Sequence, residues 1–222
     1  MTIDTSHTSP NQSSRNGADI SMLVLHATVG SYAASLAWLC NPSSRVSTHY
    51  LIRKDGYIAQ LVPDDRAAWH AGASKWFDMG SAAIRDGSIG IELENANNGV
   101  DPYPPAQMDA LLALSKDLVK KYAIVPDMVT RHLDIAMPAG RKSDPAGFAW
   151  LPFKASLYAP IVPTAYRVLG TPVWQRQDCT GPIAMYLVPG AIEGVDKHYP
   201  EGTAHLSSGA GFIKIDASVE AV

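Results

Sequence analysis

The chain carries seven histidines, and two of them, His26 and His132, stand at the ends of short apolar runs. Asp144 follows His132 by twelve residues, inside Gly140-Arg141-Lys142-Ser143-Asp144-Pro145. Two imidazoles and one carboxylate can hold zinc and leave a fourth position open to water. Lys142, in the same Gly/Pro-bounded loop, could face an oxyanion forming beside that metal. Glu92 adds a carboxylate able to take a proton from water. Together these five residues describe metal-assisted hydrolysis of a carbonyl compound. His7, His198 and His205 read as surface or structural.

The elements that must position these groups are legible in the apolar pattern. Ser21 to His26 suits a buried strand, with His26 sharing a face with Met22 and Val24. Tyr32 to Leu39 reads as a helix ended near Asn41-Pro42. Val46 to Arg53 and Tyr57 to Val62 flank Asp55-Gly56, a hairpin signal. Pro63 to Asp86 reads as irregular, although it holds Trp69, His70, Trp76 and Phe77. Ser88 to Glu94 is a strand with Ile89, Ile91 and Leu93 on one face and Gly90, Glu92 and Glu94 on the other. Gln107 to Tyr122 is the strongest helix, with Met108, Leu111, Leu112, Leu118, Val119 and Tyr122 on one side. Met128 to His132 is a short strand, Asp134 to Pro152 is loop-like, and Leu151 to Tyr158 forms one or two helical turns.

Composition excludes several classes. The chain has 222 residues, 46% of them hydrophobic, and a net charge of −3. That is ordinary globular composition with no global attraction to nucleic acid. No apolar run is long enough to span a membrane, and the first residues lack the basic and apolar regions of a signal peptide. Cys40 and Cys179 are too few for a disulfide framework and are expected as free thiols. Residues 1–18 are polar and read as a flexible arm. Residues 19–158 mix strands and helices, 159–164 form a Pro-containing linker, and 165–222 contain short β-like runs punctuated by glycine and proline. The expected fold is α/β, followed by a small β-barrel.

A resemblance then enters on five motifs in order: Val-Leu-His-Ala-Thr around His26, Ser-Thr-His-Tyr around His49, and Trp69-His70-Ala-Gly, followed by Ser-Ile-Gly-Ile-Glu-Leu-Glu-Asn from Ser88 and the stretch from Arg131 to Pro145. Over residues 20–158 the chain resembles the zinc-dependent N-acetylmuramoyl-L-alanine amidases, relatives of phage endolysins and peptidoglycan recognition proteins. The resemblance implies a mixed central β-sheet flanked by helices with a zinc cleft at one edge. It implies His26, His132 and Asp144 as zinc ligands, with Glu92 and Lys142 in catalysis. His49 and His70 would line or support the cleft, and Trp69, Trp76 and Phe77 would offer it an apolar wall.

The same resemblance implies hydrolysis of the amide between N-acetylmuramic acid and L-alanine of bacterial peptidoglycan. The expected role is a phage or prophage endolysin; the alternatives are a cytoplasmic recycling amidase acting on anhydromuropeptides, and a peptidoglycan-binding protein without activity. Residues 165–222 are similar in part to bacterial SH3-like wall-binding modules. A monomer is expected, made in the cytoplasm without an export signal and acting at the wall after release, or remaining cytoplasmic in the recycling case.

Overall fold

The computed structural model describes residues 2–158 and, beyond them, the strands of a second unit. The two compact units are Met1–Ala159 and Pro160–Val222. In chain order the first holds β1 (Ile3–Asp4), β2 (Gln12–Ser14), β3 (Met22–Ala27), α1 (Tyr32–Leu39), β4 (Tyr50–Ile52), β5 (Ile58–Gln60), β6 (Arg66–Ala68), β7 (Lys75–Trp76), β8 (Met79–Gly80), α2 (Ser81–Gly87), β9 (Ser88–Leu93), α3 (Pro105–Tyr122), β10 (Val129–Arg131), α4 (His132–Ile135) and α5 (Trp150–Tyr158).

The central sheet has the order β1-β5-β4-β9-β3-β10. Strands β4, β9, β3 and β10 are parallel, while β5 turns back antiparallel to β4 through the Asp55-Gly56 hairpin. A parallel strand covered on both faces must be apolar nearly throughout, and every residue of β3 is buried. On one face, Leu23, Leu25, Ile89, Ile91 and Leu93 meet Leu111, Leu114 and Leu118 of α3 and Phe153 and Leu157 of α5. On the other, Met22 and Val24 pack with Ala71, Ile84 of α2 and Ile135 of α4. His26 continues that second face along β3, beyond Val24. Helix α1 caps the β4–β5 region through Leu39, Leu51, Ala59 and Leu61.

Two helices lie where the sequence pattern reads as loop. α2 has seven residues and one large buried apolar side chain, Ile84, so it has no period to read. α4 is a single turn, closed where the Asp134 carboxylate accepts from the Arg131 backbone N–H at 3.0 Å. The expected flexible arm is a correction of another kind. Ile3 pairs beside Ile58 in β5, and β2 pairs antiparallel with β6. Arg15 is buried, its guanidinium donating to the carbonyls of Asp64 and Asp86 at 2.6 Å and of Ser88 at 3.1 Å. Polar composition reads as solvated, but here the polar groups satisfy backbone carbonyls that the loops leave open.

The second unit contains β11 (Ala165–Val168), β12 (Pro172–Trp174), β13 (Ile183–Tyr186), β14 (Ile192–Tyr199), β15 (Thr203–Leu206), β16 (Phe212–Lys214) and β17 (Val219–Ala221). They pair antiparallel in the order β13-β12-β16-β15-β14-β11-β17. The expected linker at 159–164 and Cys179 lie outside the described residues. Among the described helices none is long and apolar enough to cross a membrane.

Candidate active site

Three adjacent parallel strands bring the proposed chemistry to one edge. His26 lies near the carboxyl end of β3, and Glu92 is its register partner on β9. Arg131 is level with Leu25, so His132, the next residue after β10, arrives beside His26. The carboxyl ends of parallel strands are where open α/β sheets hold ligands. Asp144 comes from the loop after α4, which is tied back where the Leu133 N–H donates to the Asp144 carbonyl at 3.0 Å. Arg141 braces the same loop by donating to the carbonyls of Met137 at 2.8 Å and Ala73 at 2.7 Å.

Asp144 Oδ2 lies 3.0 Å from His132 Nδ1 and 3.5 Å from His26 Nδ1. One atom from each residue falls within 4.8 Å of the other two, and all three residues are buried. Ligands about 2.0–2.1 Å from a tetrahedral zinc stand roughly 3.3 Å apart, so the set fits that ion. The far nitrogens are held from behind: His26 Nε2 is 3.0 Å from His70 Nδ1, and His132 Nε2 is 3.2 Å from the Ala71 carbonyl oxygen. Such outer contacts fix ring orientation in metal sites.

Electrostatics point the same way. Burial, then the neighbouring His132, pushes His26 down to about 4, leaving its imidazole neutral at pH 7. Burial alone would raise the Asp144 carboxyl, but hydrogen bonds from His132 and His26 outweigh it and keep it ionised. Neutral imidazole and ionised carboxylate are the forms that bind a cation. Glu92 is pushed up to about 8, first by burial and then by Asp144, with Lys142 opposing. The residue is half-buried, yet its Oε2 is sealed from solvent and has no hydrogen-bond partner among the described residues.

Glu92, His70, His132, Lys142 and Asp144 line one cleft of about 390 Å³. His70 crosses Gly90, where a Cβ would sit 2.5 Å from the imidazole Cγ, and its Nε2 is 3.0 Å from Ser88 Oγ. His49 lies one layer deeper, accepting from the Gly90 N–H at 3.0 Å through Nδ1; burial, then Arg15, holds it down at about 3. Trp69 lines an adjoining cleft with Arg45, Arg85 and Arg141. Trp76 stands apart: its indole N–H donates to the Asp127 carbonyl at 2.9 Å, and with Phe77 it borders a separate groove beside β10. The aromatic residue in the cleft is instead Trp38 of α1. Helix Tyr32–Leu39 is apolar nearly all round, so its sequence does not tell a core-facing indole from a cleft-facing one.

A buried His-His-Asp set beside a carboxylate of raised pKa, at the carboxyl edge of a parallel sheet, defines a hydrolase-type site. The chain belongs to the N-acetylmuramoyl-L-alanine amidase family, whose sequence model matches residues 16–147. It is 43% identical over 146 residues to the N-acetylmuramoyl-L-alanine amidase AmiD of Escherichia coli, covering 59% of this chain and 51% of the relative. It is 42% identical over 113 residues to the 1,6-anhydro-N-acetylmuramyl-L-alanine amidase AmpD of Enterobacter cloacae, covering 50% and 57%. A solved complex of E. coli AmiD with anhydro-N-acetylmuramic acid-L-Ala-D-gamma-Glu-L-Lys superposes with a TM-score of 0.56 at 39% identity, covering 62% of this chain and 57% of that one. The chain thus spans about half the length of the curated relatives it matches.

Proposed function

We propose that this protein hydrolyses the amide joining N-acetylmuramic acid to L-alanine in soluble, anhydro-type muropeptides. The observation that carries the reading is the buried His26–His132–Asp144 set sharing a cleft with the unpartnered Glu92 oxygen. Those three residues would hold zinc, which in such a site acidifies water and polarises a carbonyl. In its ionised form, which a cation held by the ligand set would favour, Glu92 takes the proton of the attacking water and returns it to the alanine nitrogen as the C–N bond breaks. Lys142, on the cleft wall, places positive charge beside the oxygen that becomes anionic in the tetrahedral state. The products are the free lactyl carboxylate and a peptide with an N-terminal L-alanine.

The adjoining cleft supports a carboxylate-bearing peptide as substrate. Arg45, Arg85, Arg141 and Lys142 line it and, among the described residues, no acidic one does, although Arg85 is itself paired with Asp86 at 2.7 Å. Soluble anhydro forms replace intact wall as the leading substrate because relatives 42–43% identical include an enzyme named for that form. A second reading, an endolysin acting on intact wall, draws on the antiparallel β unit, in which an SH3-like module would hold the polymer.

The test incubates the protein with soluble anhydromuropeptides and with intact sacculi, with and without a chelator, and identifies new termini by mass spectrometry. Free N-terminal L-alanine from the soluble fragments, lost on chelation and restored by zinc, is the expected result. New reducing ends or D-alanine termini would overturn the amidase reading; faster release from sacculi than from fragments would favour the endolysin.

A further inference from the structure

The proposed reaction leaves one wall of the cleft unused. In the cleft that holds His132 and Asp144, α1 and the segments flanking it present Trp38 at 56% exposure, Val29 at 67% and Val46 at 38%. Trp38 shares its helix with Leu39, which is buried against β4 and β5, so the helix is anchored while its indole stays open. Val29 is β-branched and adopts φ 61°, in the left-handed region that such residues rarely occupy. That conformation turns the chain from the end of β3 toward α1 and leaves an isopropyl group on the cleft lip. Large apolar side chains gathered on one concave surface mark a ligand contact more often than chance exposure.

The chemistry of the two clefts orients a substrate across the site. Both are lined by His70, His132, Lys142 and Val46, so they meet at the reacting centre. One side carries the arginines and suits an anionic peptide. The other carries the open indole between Val29 and Val46, and suits a neutral group with an apolar face. A pyranose ring has that character, and aromatic side chains take such surfaces face-on.

We infer that Trp38, flanked by Val29 and Val46, is the platform for the muramoyl sugar ring and sets the preference for sugar-bearing over sugar-free amides. The inference builds on the amidase reading and assigns the glycan half of the substrate to the α1 wall.

Two substrates with the same scissile amide separate the contributions: an N-acetylmuramoyl peptide, and a D-lactoyl peptide lacking the sugar ring. In Trp38→Ala the preference for the first over the second should fall about tenfold, chiefly through KM, the size expected of one lost aromatic contact. Trp38→Phe should restore most of it, and melting curves should show both variants folded. An equal loss on the two substrates, or an unchanged preference, overturns the platform.

Titration with N-acetylmuramic acid, followed by tryptophan fluorescence in wild type and Trp38→Ala, reads the contact without any turnover. A signal present in wild type and lost in the variant supports the platform even if neither amide is cut, in which case the amidase reading alone fails. Cleavage of the muramoyl peptide with no signal from the sugar in wild type overturns the platform and leaves the amidase intact.

Discussion

At the scale of single residues, the most informative atom is Glu92 Oε2, buried and without a hydrogen-bond partner among the described residues. An unpartnered buried carboxylate oxygen costs stability, so a fold keeps one only where something else gains from it. On the proposed reading the gain is a proton acceptor beside the ligand set. Glu92→Gln keeps the shape and removes the basicity. Zinc stoichiometry by elemental analysis should be unchanged, while turnover falls by about 10²–10⁴. The variant should melt no lower than wild type, because a neutral amide replaces a desolvated acid. Near-wild-type turnover would remove Glu92 as the base. His26, His132 and Asp144 were readable as a set because each stands in a motif. Their contacts were not, since the 3.0 Å approach of His70 to His26 joins residues 44 positions apart.

At the scale of elements, β9 shows how tightly the strands hold the histidines. His70 lies across Gly90, so Gly90→Ala places a methyl group 2.5 Å from its ring. The imidazole must move, and with it the support of His26. We expect a loss of about 1–3 kcal/mol by urea denaturation together with weakened zinc affinity; unchanged affinity would mean that His70 does not hold His26.

A second brace ties β4 to α3. Asp64 accepts from Tyr50 at 2.6 Å, Tyr122 at 2.7 Å and Lys121 at 3.0 Å. Burial would raise this carboxyl, but those hydrogen bonds outweigh it and hold it below the usual range. A carboxyl lowered on folding stabilises fully above its unfolded value near 3.9 and loses that contribution as pH falls through the folded value. Asp64→Asn should therefore be less stable than wild type by about 2 kcal/mol at pH 7. The gap should close in urea melts taken well below about pH 4, and an equal gap at both pH values would refute the brace. Strands β3 and β9 and helix α3 were legible because each carries a full apolar period. The α2 and α4 turns and the docked N-terminal segment were not, because single anchors and side-chain-to-carbonyl bonds leave no periodic trace.

At the scale of the whole molecule, the chain divides into the mixed α/β unit and the antiparallel β unit. The sequence changes from mixed to β-only patterning along the chain, but it does not show the side of the cleft on which Trp38 stands, because only packing decides which face of an apolar helix is covered. Among the described residues the first unit holds apolar clusters built on its own strands and helices, and every residue proposed for the chemistry lies in it. A compact unit with a hydrophobic core could fold alone. Residues 1–159 expressed alone should therefore melt cooperatively, bind zinc and release N-terminal L-alanine from soluble muropeptides as the full chain does. Sedimentation with sacculi separates the two readings of the second unit. If the truncated chain sediments with the wall as much as the full chain does, the β unit is no wall anchor, and if neither sediments the soluble-substrate role stands. If retention vanishes while cleavage of soluble fragments persists, the β unit supplies local concentration on the polymer, and the enzyme's working substrate is the wall itself.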